Sequence, residues 1–150
     1  MNLEPDFSDF LATLIKHKVE FVIVGAFALA HHGAPRATGD FDVWVRPERK
    51  NANAVLRALG DFGTPLTGLS EDDFLNGKIV QIGVEPVRID VINELSGVSA
   101  EEVWSGREEG AIGPHRVHFI GRKDYVKNKR ASGRMKDLAD LESLDEPPAK

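Results

Sequence analysis

Phe21-Val22-Ile23-Val24-Gly25-Ala26 is followed after thirteen residues by Asp40-Phe41-Asp42-Val43-Trp44-Val45. Phe21 to Val24 is a continuous apolar run rich in β-branched residues, the pattern of a buried strand. It ends at Gly25. Ala26 to His32 is alanine-rich and suits a helix, with Gly33-Ala34-Pro35 as its stop. Phe41 to Val45 reads as a second strand. Alternation sends Phe41, Val43 and Val45 to one face and Asp40, Asp42 and Trp44 to the other.

Two carboxylates at i and i+2 on one strand face repel each other, and burial makes this worse. A hard divalent cation offsets that repulsion. Magnesium takes a few carboxylates together with phosphate oxygens rather than a closed protein cage, and Asp40 and Asp42 suit that description. A third carboxylate lies in Arg88-Ile89-Asp90-Val91-Ile92, where Ile89 and Val91 face one side and Asp90 the other. If the two strands are neighbours, Asp40, Asp42 and Asp90 form one metal-holding, catalytic set. One metal would grip a triphosphate and a second would lower the pKa of an attacking hydroxyl, with Asp90 as general base or bridge. The strand–Gly25–helix turn, including Ala26, offers backbone N–H groups to phosphate, and glycine allows close approach.

Phe7, Phe10, Leu11 and Leu14 recur at i, i+3, i+4, i+7 and predict a helix over Pro5 to His17. Pro47 opens another helix, with Ala52, Val55, Leu56, Leu59 and Phe62 as its buried stripe and Gly60 or Gly63 as its end. Thr64 to Asn76 is loop, with a short helix at Glu71 to Leu75. Lys78 to Ile82 and Val87 to Ile92 read as two strands joined by a hairpin turn at Gly83 to Pro86. Ser99 to Glu109 reads as a helix with a Ser99/Glu102 capping box. Val117 to Ile120 is a last strand, and Gly121 to Leu144 is helical with a break at Ser132-Gly133. The expected fold is α+β: a two-layer sandwich on a mixed β-sheet, helices packed mainly on one face. It forms a single domain over 1–144 with a disordered tail at 145–150.

The chain has 150 residues, no cysteine and a formal net charge of −5. Disulfides, thiolate zinc sites and a cysteine nucleophile are excluded. The N-terminus MNLEPDFSDF lacks the basic and apolar regions of a signal peptide, no run approaches the length of a membrane helix, and a cytoplasmic location is expected. The net acidity argues against a general nucleic-acid binder, unless a local basic patch overrides it. Lys123, Lys127, Arg130 and Arg134 would form one cationic stripe on a continuous helix. This is either a clamp for phosphate or an RNA acceptor, or a solvated face.

The pattern Val24-Gly25-Ala26, a thirteen-residue gap, then Asp40-Phe41-Asp42-Val43 resembles the signature of the DNA polymerase beta-like nucleotidyltransferase superfamily. The wider string through His32-Gly33, Arg36-Ala37-Thr38-Gly39 and Asp40 resembles the minimal nucleotidyltransferases of bacteria and archaea, including AbiEii-type members of toxin–antitoxin and phage-defence systems. Lys127 and the run Arg134 to Leu141 resemble the closing helices of that group. The resemblance implies the nucleotidyltransferase fold, magnesium (with manganese as the alternative) and an NTP such as ATP as donor. It also implies nucleotide contacts from Gly25, Ala26, Lys127 and Arg134, while Arg36 and Thr38, in the loop just before the acidic strand, either touch the nucleotide or only shape the loop. The acceptor would be a hydroxyl of RNA, protein or a small molecule. So short a chain is compatible with a toxin or antitoxin partner, or with a homo-oligomer. The family's Gly-Gly or Gly-Ser is Gly25-Ala26 here, which removes a hydroxyl and resists positive φ. A rival expectation is therefore a catalytically weak, nucleotidyltransferase-like antitoxin or partner-binding module. P-loop, zinc-protease and Gly-x-Ser-x-Gly motifs are absent from the sequence. His31 and His32 are read as helix-end dipole contacts, and Trp44 as a packing residue at a sheet edge.

Overall fold

The computed structural model describes residues 3–84 and 86–148. The helices are α1 (Pro5–Lys16), α2 (Gly25–His31), α3 (Arg49–Phe62), α4 (Ala100–Gly106), α5 (Arg122–Ser132) and α6 (Met135–Ser143). The strands are β1 (Phe21–Ile23), β2 (Asp40–Val45), β3 (Val80–Ile82), β4 (Arg88–Ile92), β5 (Glu108–Ile112) and β6 (His115–Phe119). A 3-10 turn spans Glu71–Phe74. No helix among the described residues is long and apolar enough to cross a membrane.

One mixed six-stranded sheet runs in the order β3-β4-β2-β1-β6-β5. β2 is antiparallel to β1 and parallel to β4, so the two acidic strands lie side by side. β3 and β4 form the expected antiparallel hairpin. Gly83, at φ +75°, takes the left-handed conformation its turn requires.

Phe41, Val43 and Val45, on the face of β2 opposite its carboxylates, are fully buried core residues. Phe41 stacks on Phe7 of α1 at 5.0 Å and meets Phe27 of α2 edge-on at 5.0 Å. The α1 stripe Phe7, Phe10, Leu11 and Leu14 is buried as its spacing requires, and Pro5 occupies the tolerated first turn. In α3, Ala52, Val55 and Leu59 are buried, Leu56 and Phe62 partly so, and Gly63 ends the helix at φ +100°. Buried Asn51 ties α3 to the start of β1. Its side chain accepts the Glu20 N–H and donates to the Glu20 and Arg46 carbonyls.

Two expectations change. The helix begun at Ser99 stops at Gly106, and Glu108–Ile112 is an edge strand instead of a helix end. Ile112 alone in that strand is buried, so no apolar alternation marks it. Trp44 does pack, at 1% exposure, but in a central strand rather than at an edge. Of the tail, 149–150 lie outside the described residues. The preceding segment is held on α5: Glu146 pairs with Arg122 at 3.1 Å, and the Pro147 carbonyl accepts Arg130 at 3.0 Å.

The Ser99 cap is present as read, its hydroxyl accepting the Glu102 N–H at 3.1 Å while Glu102 accepts the Ser99 N–H at 2.9 Å. Ser99→Ala is expected to lower stability by about 1 kcal/mol, measured by urea denaturation.

Candidate active site

Parallel pairing sets Asp42 directly opposite Asp90 and Asp40 opposite Arg88. With alternation along both strands, Asp40, Asp42 and Asp90 share one face and line one cavity of about 250 Å³. The Thr38 hydroxyl accepts the Asp40 N–H at 3.1 Å and so braces the turn into β2. Asp40 Oδ1 and Asp90 Oδ1 are buried without a hydrogen-bond partner among the described residues. Carboxylate oxygens converging on a polar cavity are the donor set a hard cation needs. Burial first, and then the Asp90 carboxylate, push the Asp42 carboxyl up to about 7, with Asp40 adding to the rise and Lys136 opposing it. A carboxyl raised by its acidic neighbours marks a cluster whose negative charges are not fully offset, and the residues present fit a divalent ion.

Gly25 has a reason beyond phosphate access. It sits at φ +67°, and a Cβ there would lie 2.1 Å from Asp42 Oδ2. Glycine is what lets the Asp42 carboxylate pack against the start of α2. Ala26 lies inside α2 and is not among the residues with positive φ, so alanine imposes no backbone strain there. The missing hydroxyl remains the only chemical difference from Gly-Ser.

Sequence reasoning missed Arg88. Its Nη2 reaches Asp40 Oδ2 at 3.1 Å and its Nε lies 3.5 Å from Asp90 Oδ1, so a guanidinium bridges two of the three acids. The readable signal was its place beside Asp40 in a parallel pair, two residues before Asp90. Arg88→Gln is expected to destabilise the metal-free protein by about 1–2 kcal/mol, a figure reduced for partial exposure. Thermal melts with and without magnesium check this, and the variant should gain more from magnesium than the wild type does.

The basic side of the cavity differs from the expected stripe. Gly133, at φ +63°, separates α5 from α6. Lys127 pairs with Glu102 and does not line the cavity, and Arg130 turns to Glu146 and Pro147. Arg36, Thr38 and Arg134 do line it, joined by Asn128, Lys129 and Lys136. Lys129 is buried between Asp137 at 3.2 Å and Asp140 at 3.5 Å, and Arg36 reaches Asp140 at 3.4 Å. Arg134 Nε holds Asp137 at 2.8 Å. This network fixes α5, α6 and the loop before β2 around the cavity. A larger hollow of about 530 Å³ adjoins it through Arg36 and Thr38, but its walls of Phe7, Phe27, Pro35 and Pro86 carry none of the three aspartates. The chemistry belongs to the smaller, acidic cavity.

The antibiotic-resistance factor ANT(2'')-Ia has a similar structure, with a TM-score of 0.61 at 12% identity over 93% of this chain and 80% of that one. TM1012 of Thermotoga maritima, assigned as a nucleotidyltransferase, gives 0.56 at 11% identity over 92% and 87%. The fold is that of the nucleotidyltransferases. No family model matches the chain, and no curated protein matches it in sequence. At such low identity the nucleotidyltransferase fold, rather than any particular substrate, is what the chain shares with these two structures.

Proposed function

We propose that the chain is a magnesium-dependent nucleotidyltransferase that moves a nucleoside monophosphate from an NTP to a hydroxyl of RNA, protein or a small molecule. The observation that carries this reading is the set Asp40, Asp42 and Asp90 in one cavity with Arg134 and Lys136 on its wall. Asp40, Asp42 and Asp90 would hold the ion, which when bound neutralises phosphate charge and polarises the reacting oxygens. Arg134 and Lys136 face the triphosphate, with Lys129 and Arg36 behind them. A neighbouring hollow of about 380 Å³, walled by Ile79, Ile92, Leu95 and Ser96, suits the nucleoside. Asp90 takes the proton of the acceptor hydroxyl. The acceptor oxygen then bonds to the α-phosphorus as the bond to the leaving pyrophosphate breaks.

Release of pyrophosphate with incorporation of α-labelled NMP into a bacterial RNA and protein extract tests this reading. Label transfer that requires magnesium and disappears in Asp42→Asn is the expected result. No transfer from any of the four NTPs, with folded protein, would contradict it.

A further inference from the structure

Where α2 ends against the edge strand β5, away from the aspartate cavity, a ring nitrogen of His31, a ring nitrogen of His32 and a carboxylate oxygen of Glu108 lie within 4.8 Å of one another. We propose that these three side chains form a second metal site, for a borderline divalent transition metal of the zinc class. The proposal does not depend on the nucleotidyltransferase reading.

Spacing is the first argument. Zinc binds histidine nitrogen and carboxylate oxygen at about 2.0–2.2 Å, which puts tetrahedral ligands roughly 3.3 Å apart. His31 Nε2 and Glu108 Oε1 are 3.2 Å apart.

Each ligand is also held in place by a separate contact. The His31 ring lies flat on Phe119, with centroids 4.1 Å apart and planes 2° apart. Gly110 leaves room for that stack, since a Cβ there would come within 2.7 Å of Phe119 and 3.3 Å of His31. His32 Nε2 meets the Ile120 carbonyl at 2.8 Å. A carbonyl only accepts, so Nε2 carries the proton and Nδ1 keeps the lone pair a metal needs. This outer bond is the kind that orients metal-binding histidines. Glu108 Oε2 accepts the Arg122 N–H at 3.1 Å, which leaves Oε1 turned to His31.

Donor chemistry separates the two sites. Two imidazoles and one carboxylate select zinc-like ions and leave a coordination position open. The three aspartates offer oxygen only and suit magnesium. His31 and Glu108 are solvent-exposed, so an ion has access. Occupancy would clip the end of α2 to β5, bracing the helix whose other end packs against Asp42.

Side-chain nitrogen NMR of the full chain, titrated with zinc chloride in excess magnesium, tests the proposal. One equivalent of zinc should shift the ring nitrogens of His31 and His32 and leave those of His17, His115 and His118 in place. By calorimetry, His31→Ala and Glu108→Gln should each weaken zinc binding tenfold or more, and Asp42→Asn should leave it unchanged. Circular dichroism establishes that each variant is folded. Unmoved His31 and His32 rings would show that His31 and Glu108 form only a hydrogen bond and would overturn the proposal. Zinc binding that survives Glu108→Gln at wild-type strength, or that Asp42→Asn alone abolishes, would overturn it too.

Discussion

Asp42→Asn is expected to make the metal-free protein more stable while lowering nucleotidyl transfer by about a thousandfold or more, roughly 4 kcal/mol of transition-state stabilisation. The two effects share one cause. Burial and the facing Asp90 raise the Asp42 carboxyl from 3.8 to about 7. Between those values the folded state holds a proton that the unfolded state has released. Stability contributed by that proton is complete below about pH 4 and is lost as pH climbs through about 7. Above pH 7 the ionised, half-buried carboxylate destabilises the fold by on the order of 2–4 kcal/mol. Asparagine keeps the shape and removes the charge. At pH 8 the metal-free variant should melt several degrees higher than wild type, given about 2–4 °C per kcal/mol for a chain of this size. At pH 4 the difference should shrink. A scanning-calorimetry series from pH 4 to 8 without metal measures this. A variant that melts lower than wild type at pH 8 would mean that Asp42 is a structural partner rather than a strained ligand.

Asp137→Ala is expected to have the largest effect on stability. Asp137 is fully buried and its carboxylate is shared by Lys129 at 3.2 Å and Arg134 at 2.8 Å, with the Arg134 N–H at 3.2 Å. Burial alone would raise its pKa, but Arg134 and Lys129 outweigh that and hold the carboxyl below its ordinary value. Truncation leaves Lys129, itself 8% exposed, with Asp140 as its remaining acidic partner among the described residues. Breaking a buried pair from one side costs about 3–5 kcal/mol, chiefly through the charge left behind. The melting temperature should fall by roughly 10 °C. Lys129→Met combined with Asp137→Leu removes both charges and should recover much of the loss. If Asp137→Ala alone is neutral, the network does not anchor α5 to α6.

Much of this was legible because local pattern and tertiary need agree. Four apolar residues at helical spacing place α1, and Gly25 and the Asp-x-Asp alternation place the carboxylates on one face. Asp90 could be placed with them only on the condition that β2 and β4 are neighbours, and the sheet order meets it. What escaped the sequence depends on long-range partners. Glu108–Ile112 has no apolar alternation because an edge strand is held by backbone pairing to β6. The cationic stripe dissolved because Lys127 and Arg130 find acids far along the chain, Glu102 and Glu146. The Lys129 network did leave a trace. Asp137, Asp140, Leu141 and Leu144 recur at i, i+3, i+4 and i+7, which puts two acids on the buried face of α6. Buried acids at such positions call for a buried cation, and Lys129 is that cation.

Three aspartates of one cavity are proposed to hold a metal ion for nucleotide chemistry. Isothermal calorimetry of ATP, CTP, GTP and UTP, with and without magnesium, on wild type and Asp42→Asn tests it most directly. Magnesium-dependent binding of at least one NTP to wild type, lost in a variant that remains folded, is the expected result. Nucleotide binding that is indifferent to both magnesium and Asp42, or no binding to wild type at all, would contradict it.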